Sequence, residues 1–324
     1  MPRFSLPSSG SCVLILVFAF SGLASFAQTA TILRGSNLRK APNTSSPILE
    51  TLHKGDSVTL TSPRKRFGYY HVSASDGTAG WVLAKNASTS GTPIISAANA
   101  GKKVAIACPA AITGTGASIK DCPRTGCGSS LDPNLNEQKN VVTDNDAPVD
   151  KDFSFLAGLV DPVPGFKIGD TREKLTTLGE GQMIRVVAVA LKARVGNKES
   201  CNCGLSRPAD TDNHIVLVNP TVTKPTLAKN ETTSQTAEFT PRVRLTHTKL
   251  VGSDLQALVA ATANHALLVR VTGVQMFDSE HSLGPFHLKR QNNWEIHPVF
   301  RLEYCPRGKT CTKDSDANWV DMEK

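Results

Sequence analysis

At 324 residues, with 40% hydrophobic and 20% charged positions, the chain has an ordinary globular composition and the length for two modest domains, which excludes a wholly disordered or low-complexity protein. Its formal net charge of +8 is small for that length and reads first as solubility. It still permits weak attraction to anionic polymers such as cell-wall glycans, lipid headgroups or nucleic acid.

The N-terminus has the three parts of a cleavable export signal. Pro2 to Gly10 carry a single charge, Arg3; Cys12 to Leu23 are almost wholly apolar; and Ala24 to Ala27 are small around Phe26. Cleavage is expected after Ala27, giving a signal peptide over residues 1–27 and a secreted or periplasmic protein. The apolar run is shorter than the roughly 18–20 residues a membrane anchor needs, and no later segment is long and apolar enough to span, so no transmembrane segment is expected after cleavage. Cys12 precedes the apolar run, a poor position for lipid attachment. Loss of the leader lowers the charge from +8 to +7, with Arg3 alone removed.

From Ile32 to Asn86, short alternating runs are broken by Gly, Pro, Asn and Ser, as small antiparallel strands and their turns are. Ser57–Thr61 and Tyr69–Val72 are the clearest strands, Gly80–Val82 closes the set, and Gly55-Asp56 and Asp76-Gly77 supply turns. The order of landmarks, from Leu33-Arg34-Gly35 through Leu38-Arg39-Lys40-Ala41-Pro42 and Leu52 to Leu60, then Tyr69-Tyr70-His71-Val72 and Gly80-Trp81-Val82, resembles the bacterial SH3 (SH3b) family. The resemblance implies a small SH3-like barrel over residues 30–88. It also implies a ligand among cell-wall peptidoglycan or envelope proteins, since the family includes wall-binding, protein-binding and structural modules. Arg39, Phe67, Tyr69, Tyr70 and Trp81 are candidate groove residues; in so thin a core Trp81 and one of the tyrosines are equally candidates for burial. Eight basic residues against three acidic ones place most of the chain's positive excess between Ile32 and Asn86.

Residues 87–102, rich in Ala, Ser, Thr and Gly, read as a linker that opens an irregular Cys/Gly/Pro-rich stretch over 89–178. Seven cysteines follow the leader: Cys108, Cys122, Cys127, Cys201, Cys203, Cys305 and Cys311. In an exported chain disulfides are their usual fate, and an odd number leaves at least one thiol free or paired between chains. Cys305 can pair locally with Cys311, whereas Cys201 and Cys203 are too close to bridge comfortably, so one of them is expected to reach a distant partner. Zinc at Cys108, Cys122 and Cys127 is the rival reading, with no histidine nearby to support it.

The C-terminal part carries strands at 181–194, 214–218 and 237–244, a helix over 253–266 with Ser253 as N-cap, and strands at 267–277 and 294–304. Three strands, a helix and two strands is the element order of the OB fold, so residues 179–305 are expected to form an OB-like five-stranded barrel with one helix, followed by a tail over 306–324. The fold class is therefore mainly β. The segments Trp294–Val299 and Phe277–His281 also resemble an uncharacterised exported bacterial family, which implies a shared domain and carries no activity with it.

Acids and histidines recur at the strand ends of this part: Asp212, His214, Glu238, Asp278, His281, Glu295 and His297. Residues two apart share a strand face, so Glu295 and His297 point together, as do Glu238, Thr240 and Arg242. Ordinary ion pairs on a half-exposed sheet account for such a pattern. So does a divalent metal bound by Asp212, His214, Asp278, His281, Glu295 and His297, or acid–base chemistry by Glu238 and His297. No standard catalytic motif is present. Two functions follow. The preferred one is a non-catalytic, envelope-associated binding protein with no cofactor, tethered by its SH3-like module; the alternative is a metal-dependent hydrolase delivered by that module. Nucleic acid is an unlikely partner, since the C-terminal half has no basic stripe and few aromatic residues on its strands.

Overall fold

The computed structural model describes residues 29–66, 68–89, 101–142, 147–163, 165–281 and 289–324; the leader, Phe67 and most of the linker lie outside them. The first unit consists of β1 (Thr29–Ile32), β2 (Ser36–Arg39), β3 (Ile48–Leu52), β4 (Ser57–Arg66), β5 (Tyr69–Ser73), β6 (Ala79–Leu83) and β7 (Ala87–Thr89). They form one sheet in the order β3-β2-β6-β5-β4-β1-β7, around a core that includes Ile32, Leu38, Leu52, Val58, Tyr70, Val72 and Val82. The turns are where the sequence puts them. Asp76 accepts the Thr78 backbone N–H at 2.8 Å and Gly77 follows with φ +89°, a conformation that glycine enters without steric cost. Gly80 lets β2 and β6 meet, because a Cβ there would lie 2.8 Å from the Arg39 carbonyl oxygen.

Between the two barrels lie β8 (Val104–Ile106), α1 (Ala110–Thr113), β9 (Gly128–Leu131), α2 (Pro133–Lys139), β10 (Val149–Lys151), α3 (Phe153–Ala157) and α4 (Glu173–Thr176). This stretch is more regular than its composition suggests. Asp132 caps α2 by accepting from the backbone N–H groups of Asn134 (3.0 Å) and Leu135 (3.2 Å), with Pro133 at the first helical position. β10 adds in parallel to the first strand of the second barrel, and Phe153 and Leu156 of α3 pack into that barrel's core.

The second barrel is β11 (Met183–Val195), β12 (Asn213–Val218), a short α5 (Leu227–Asn230), β13 (Gln235–Phe239), α6 (Gly252–Ala260), β14 (Leu267–Phe277) and β15 (Trp294–Tyr304). Five strands close in the order β11-β12-β13-β15-β14 and back to β11, with β13 and β15 parallel and the other pairs antiparallel. The thirteen-residue β11 makes closure possible: Met183–Ala190 pair with β14 and Val189–Val195 with β12, across a bulge at Ala190/Lys192. Alternate residues Ile184, Val186, Ala188 and Ala190 enter the core, and α6 adds Leu255 and Val259. The C-terminal residues also return to the barrel, with β16 (Val320–Asp321) pairing with β15.

Two expected elements differ. The third strand ends at Phe239, since Pro241 has no N–H to extend the ladder, and Val243–Leu245 turn into a 3-10 helix. Arg242 therefore leaves the face of Glu238 and Thr240. The helix begins at Gly252, capped by the extended Val251 rather than by Ser253, and stops at Ala260, short of the left-handed Asn264 at φ +60°.

Candidate functional site

The outer surface of β12, β13 and β15 carries a row of three ionisable side chains set by strand register. His214 is the antiparallel partner of Glu238, and the parallel pairs Thr236–Glu295 and Ala237–Ile296 bring His297 level with Glu238 on its other side. His214 Nε2 lies 3.4 Å from Glu238 Oε1, and His297 Nδ1 lies 3.1 Å from Glu238 Oε2 and 3.4 Å from Glu295 Oε2. Asp212, immediately before β12, is fully buried; its Oδ2 accepts from the Asn202 side-chain amide at 3.1 Å and faces the Cys201 thiol at 3.7 Å. The row is roofed by the Ser200–Asn202 turn and by α2, whose buried Lys139 pairs with Glu199 at 2.8 Å.

Opposite charges at close range in a dry setting dominate the protonation states here. Burial alone would raise the Glu238 carboxyl, but the two flanking imidazoles hold it down to about 2. Glu238 in turn raises His214 to about 9. For His297 burial favours the neutral ring, yet Glu238 and Glu295 raise it to about 10. Asp212 is pushed up to about 7 by burial and by Glu199, against the opposing pull of His297 and Lys139. Burial also raises the Cys201 thiol well above its ordinary value.

Asp278, His281 and Glu295, grouped with this row by sequence, belong to a neighbouring ion-pair cluster. Arg290 bonds Glu295 and lies 3.2 Å from Asp278, which also bonds the half-exposed His281. The sequence gives no spacing signal for Arg290, Lys139 or Glu199, because each reaches the site from a loop or a helix outside the barrel. The nearest hint is Glu199's place two residues before Cys201 and four before Cys203. Arg242 bonds the Cys122 carbonyl at 2.7 Å and Asn140 at 3.2 Å, fastening the roof from below.

Six of the seven cysteines pair: Cys108–Cys127, Cys122–Cys203 and Cys305–Cys311. The bridge to Cys203 is the distant one expected, Cys305–Cys311 the local one, and Cys201 is the buried free thiol. Cys108, Cys122 and Cys127 are thus disulfide-bonded, and the zinc reading for them falls away.

On the first barrel, Arg39 on β2 is the register partner of Trp81 on β6, which is in turn the partner of His71 on β5. The three form a half-exposed row in which His71 and Trp81 meet edge to face with ring centroids 4.8 Å apart, and Arg39 donates to the Ser46 carbonyl at 2.7 Å. Residues 34–88 match the family model of the bacterial SH3 domain. No curated protein matches the chain. In the SH3 domain Tyr69 and Tyr70 are about 5% and 4% exposed, so neither lines a groove; Tyr70 belongs to the core. Arg39 and Trp81 keep surface, and His71 joins them. An SH3 domain of this kind is consistent with a cell-wall or protein-binding module, and the disulfides are compatible with an extracellular location. No helix among the described residues is long and apolar enough to cross a membrane.

Proposed function

We propose that the chain is an exported, envelope-associated binding protein, secreted or periplasmic, whose SH3 domain docks on peptidoglycan and whose second barrel presents a separate ligand site. The Arg39–Trp81–His71 row carries this reading. An indole face packs against the C–H face of a sugar ring, while a guanidinium and an imidazole beside it suit the carboxylates of peptide stems. The basic excess of the same domain adds long-range attraction to an anionic wall, and the apolar leader and three disulfides support export. A hydrolase would need substrate to reach Glu238 and His297, whose side chains are 4% and 0% exposed; that burial favours binding over catalysis.

The test is co-sedimentation of the full-length protein with purified sacculi. Trp81→Ala is expected to weaken retention roughly tenfold or more, as loss of a central aromatic anchor does, with the far-UV spectrum unchanged. Retention unaffected by Trp81→Ala, or no retention of the wild type, would exclude this wall-binding row and turn attention to a protein partner.

A further inference from the structure

Beyond wall docking, three buried side chains of the second barrel converge as metal ligands do. One ligand-capable atom from each of Asp212, Glu238 and His297 lies within 4.8 Å of those of the other two, and all three residues are buried. Carboxylates alone would say little, but this set includes an imidazole, and its atoms are poorly satisfied. Asp212 Oδ1, Glu238 Oε2 and His297 Nε2 have no aligned hydrogen-bond partner among the described residues, and His297 is 0% exposed. The short approach of His297 Nδ1 to Glu238 Oε2 has ion-pair distance without hydrogen-bond alignment. Leaving several polar atoms unpaired in one buried spot is costly. A cation that displaces the His297 ring proton to solvent and accepts these lone pairs removes that cost.

We propose that Asp212, Glu238 and His297 bind a divalent first-row transition-metal ion beneath the disulfide-tied roof. One imidazole nitrogen with two carboxylate oxygens is a donor set that zinc and its neighbours accept, with a fourth position left for water or a further side chain. Each ligand is held from behind. Asn202 bonds the other oxygen of Asp212, His214 stands against the other oxygen of Glu238, and Glu295 faces His297 Nδ1 at 3.4 Å. Glu199 and Cys201 adjoin the set through Asp212 and could serve a neighbouring position, but Glu199 is engaged by Lys139.

The test uses untagged, oxidised, full-length protein stripped with chelator, titrated calorimetrically with zinc and, in parallel, with cobalt to read the visible ligand-field band. About one equivalent is expected, and the near-isosteric Asp212→Asn and His297→Gln should each weaken binding by roughly 100-fold or more and abolish the cobalt band. Cys201→Ser should leave both readouts in place. Circular dichroism of each variant distinguishes loss of the site from loss of fold, and the wild-type titration stands independently of any variant. No zinc uptake by the wild type, uptake unchanged in Asp212→Asn and His297→Gln, or uptake lost only in Cys201→Ser would each overturn the assignment.

Discussion

Replacing Cys122 and Cys203 together by serine is expected to lower the stability of the second barrel by about 2–5 kcal/mol and its melting temperature by roughly 5–15 °C. The bridge spans 81 residues of sequence and joins the Cys-rich stretch to the loop before β12. Cutting so long a loop restores much conformational freedom to the unfolded chain. Its folded-state role is as large. The Ser200–Asn202 turn supplies Cys201 and Asn202 to the polar row, and Asn140 of the roof donates to the Cys201 carbonyl at 2.8 Å. Without the bridge, amides around 199–204 should exchange with solvent faster than the strands beneath. Removing Cys305–Cys311, which closes only six residues, should cost about 2 kcal/mol less by the same chain-entropy argument. Melting curves under oxidising conditions for the two double variants decide the matter: equal losses would contradict the long-loop account.

How much of this architecture the sequence discloses depends on where the information lies. β14 and β15 are legible end to end, because long apolar alternation leaves little choice of phase or boundary. The end of β13 is set by one residue, Pro241, whose missing N–H outweighs the apolar Val243 beyond it. β10 is three residues long and owes its conformation to the parallel partner β11, a long-range pairing that no local pattern reveals. In the SH3 domain the phase is fixed by Val82 entering the core, which turns its neighbour Trp81 to the opposite face. Tyr70 follows Val72 inward by the same alternation.

For the candidate site, the strand residues were legible and the roof was not. His214, Glu238 and His297 stand out because polar, ionisable residues interrupt apolar strands, and strand spacing says which face they share. Which of them meet is decided by register between strands far apart in sequence, notably the parallel pairing of β13 with β15. Lys139, Glu199 and Arg290 come from segments with no periodicity, placed by disulfides and side-chain bonds. The fold sorts these acids and histidines into two clusters that meet at Glu295, which faces His297 on one side and Arg290 on the other.

The second of those clusters gives the other large effect. Arg290→Met should destabilise the protein by about 3–5 kcal/mol at neutral pH, since it strands two buried carboxylates, Asp278 and Glu295, that share the guanidinium. Burial alone would raise the Asp278 carboxyl, but Lys139, the bonded His281 and Arg290 together hold it well below the ordinary carboxylate range. A carboxyl whose folded pKa lies below its unfolded value, about 3.9, adds stability that is present above that value and lost as pH falls through the folded one. In Arg290→Met one of the cations is gone, so the Asp278 folded pKa moves up and its ionised form stabilises the fold less. On acidification toward pH 4 the variant's Asp278 can take up its proton and become neutral, while the wild type, whose folded pKa lies lower, keeps its ion pair. The gap between wild type and variant is therefore widest near pH 7 and narrows toward pH 4, and urea melts at the two pH values measure it. The triple change Arg290→Met, Asp278→Asn, Glu295→Gln should recover most of the loss at pH 7, because it removes the stranded charges along with their partner. A gap that stays constant with pH, or no recovery in the triple variant, would mean that Arg290 acts through packing of its side chain and not through charge.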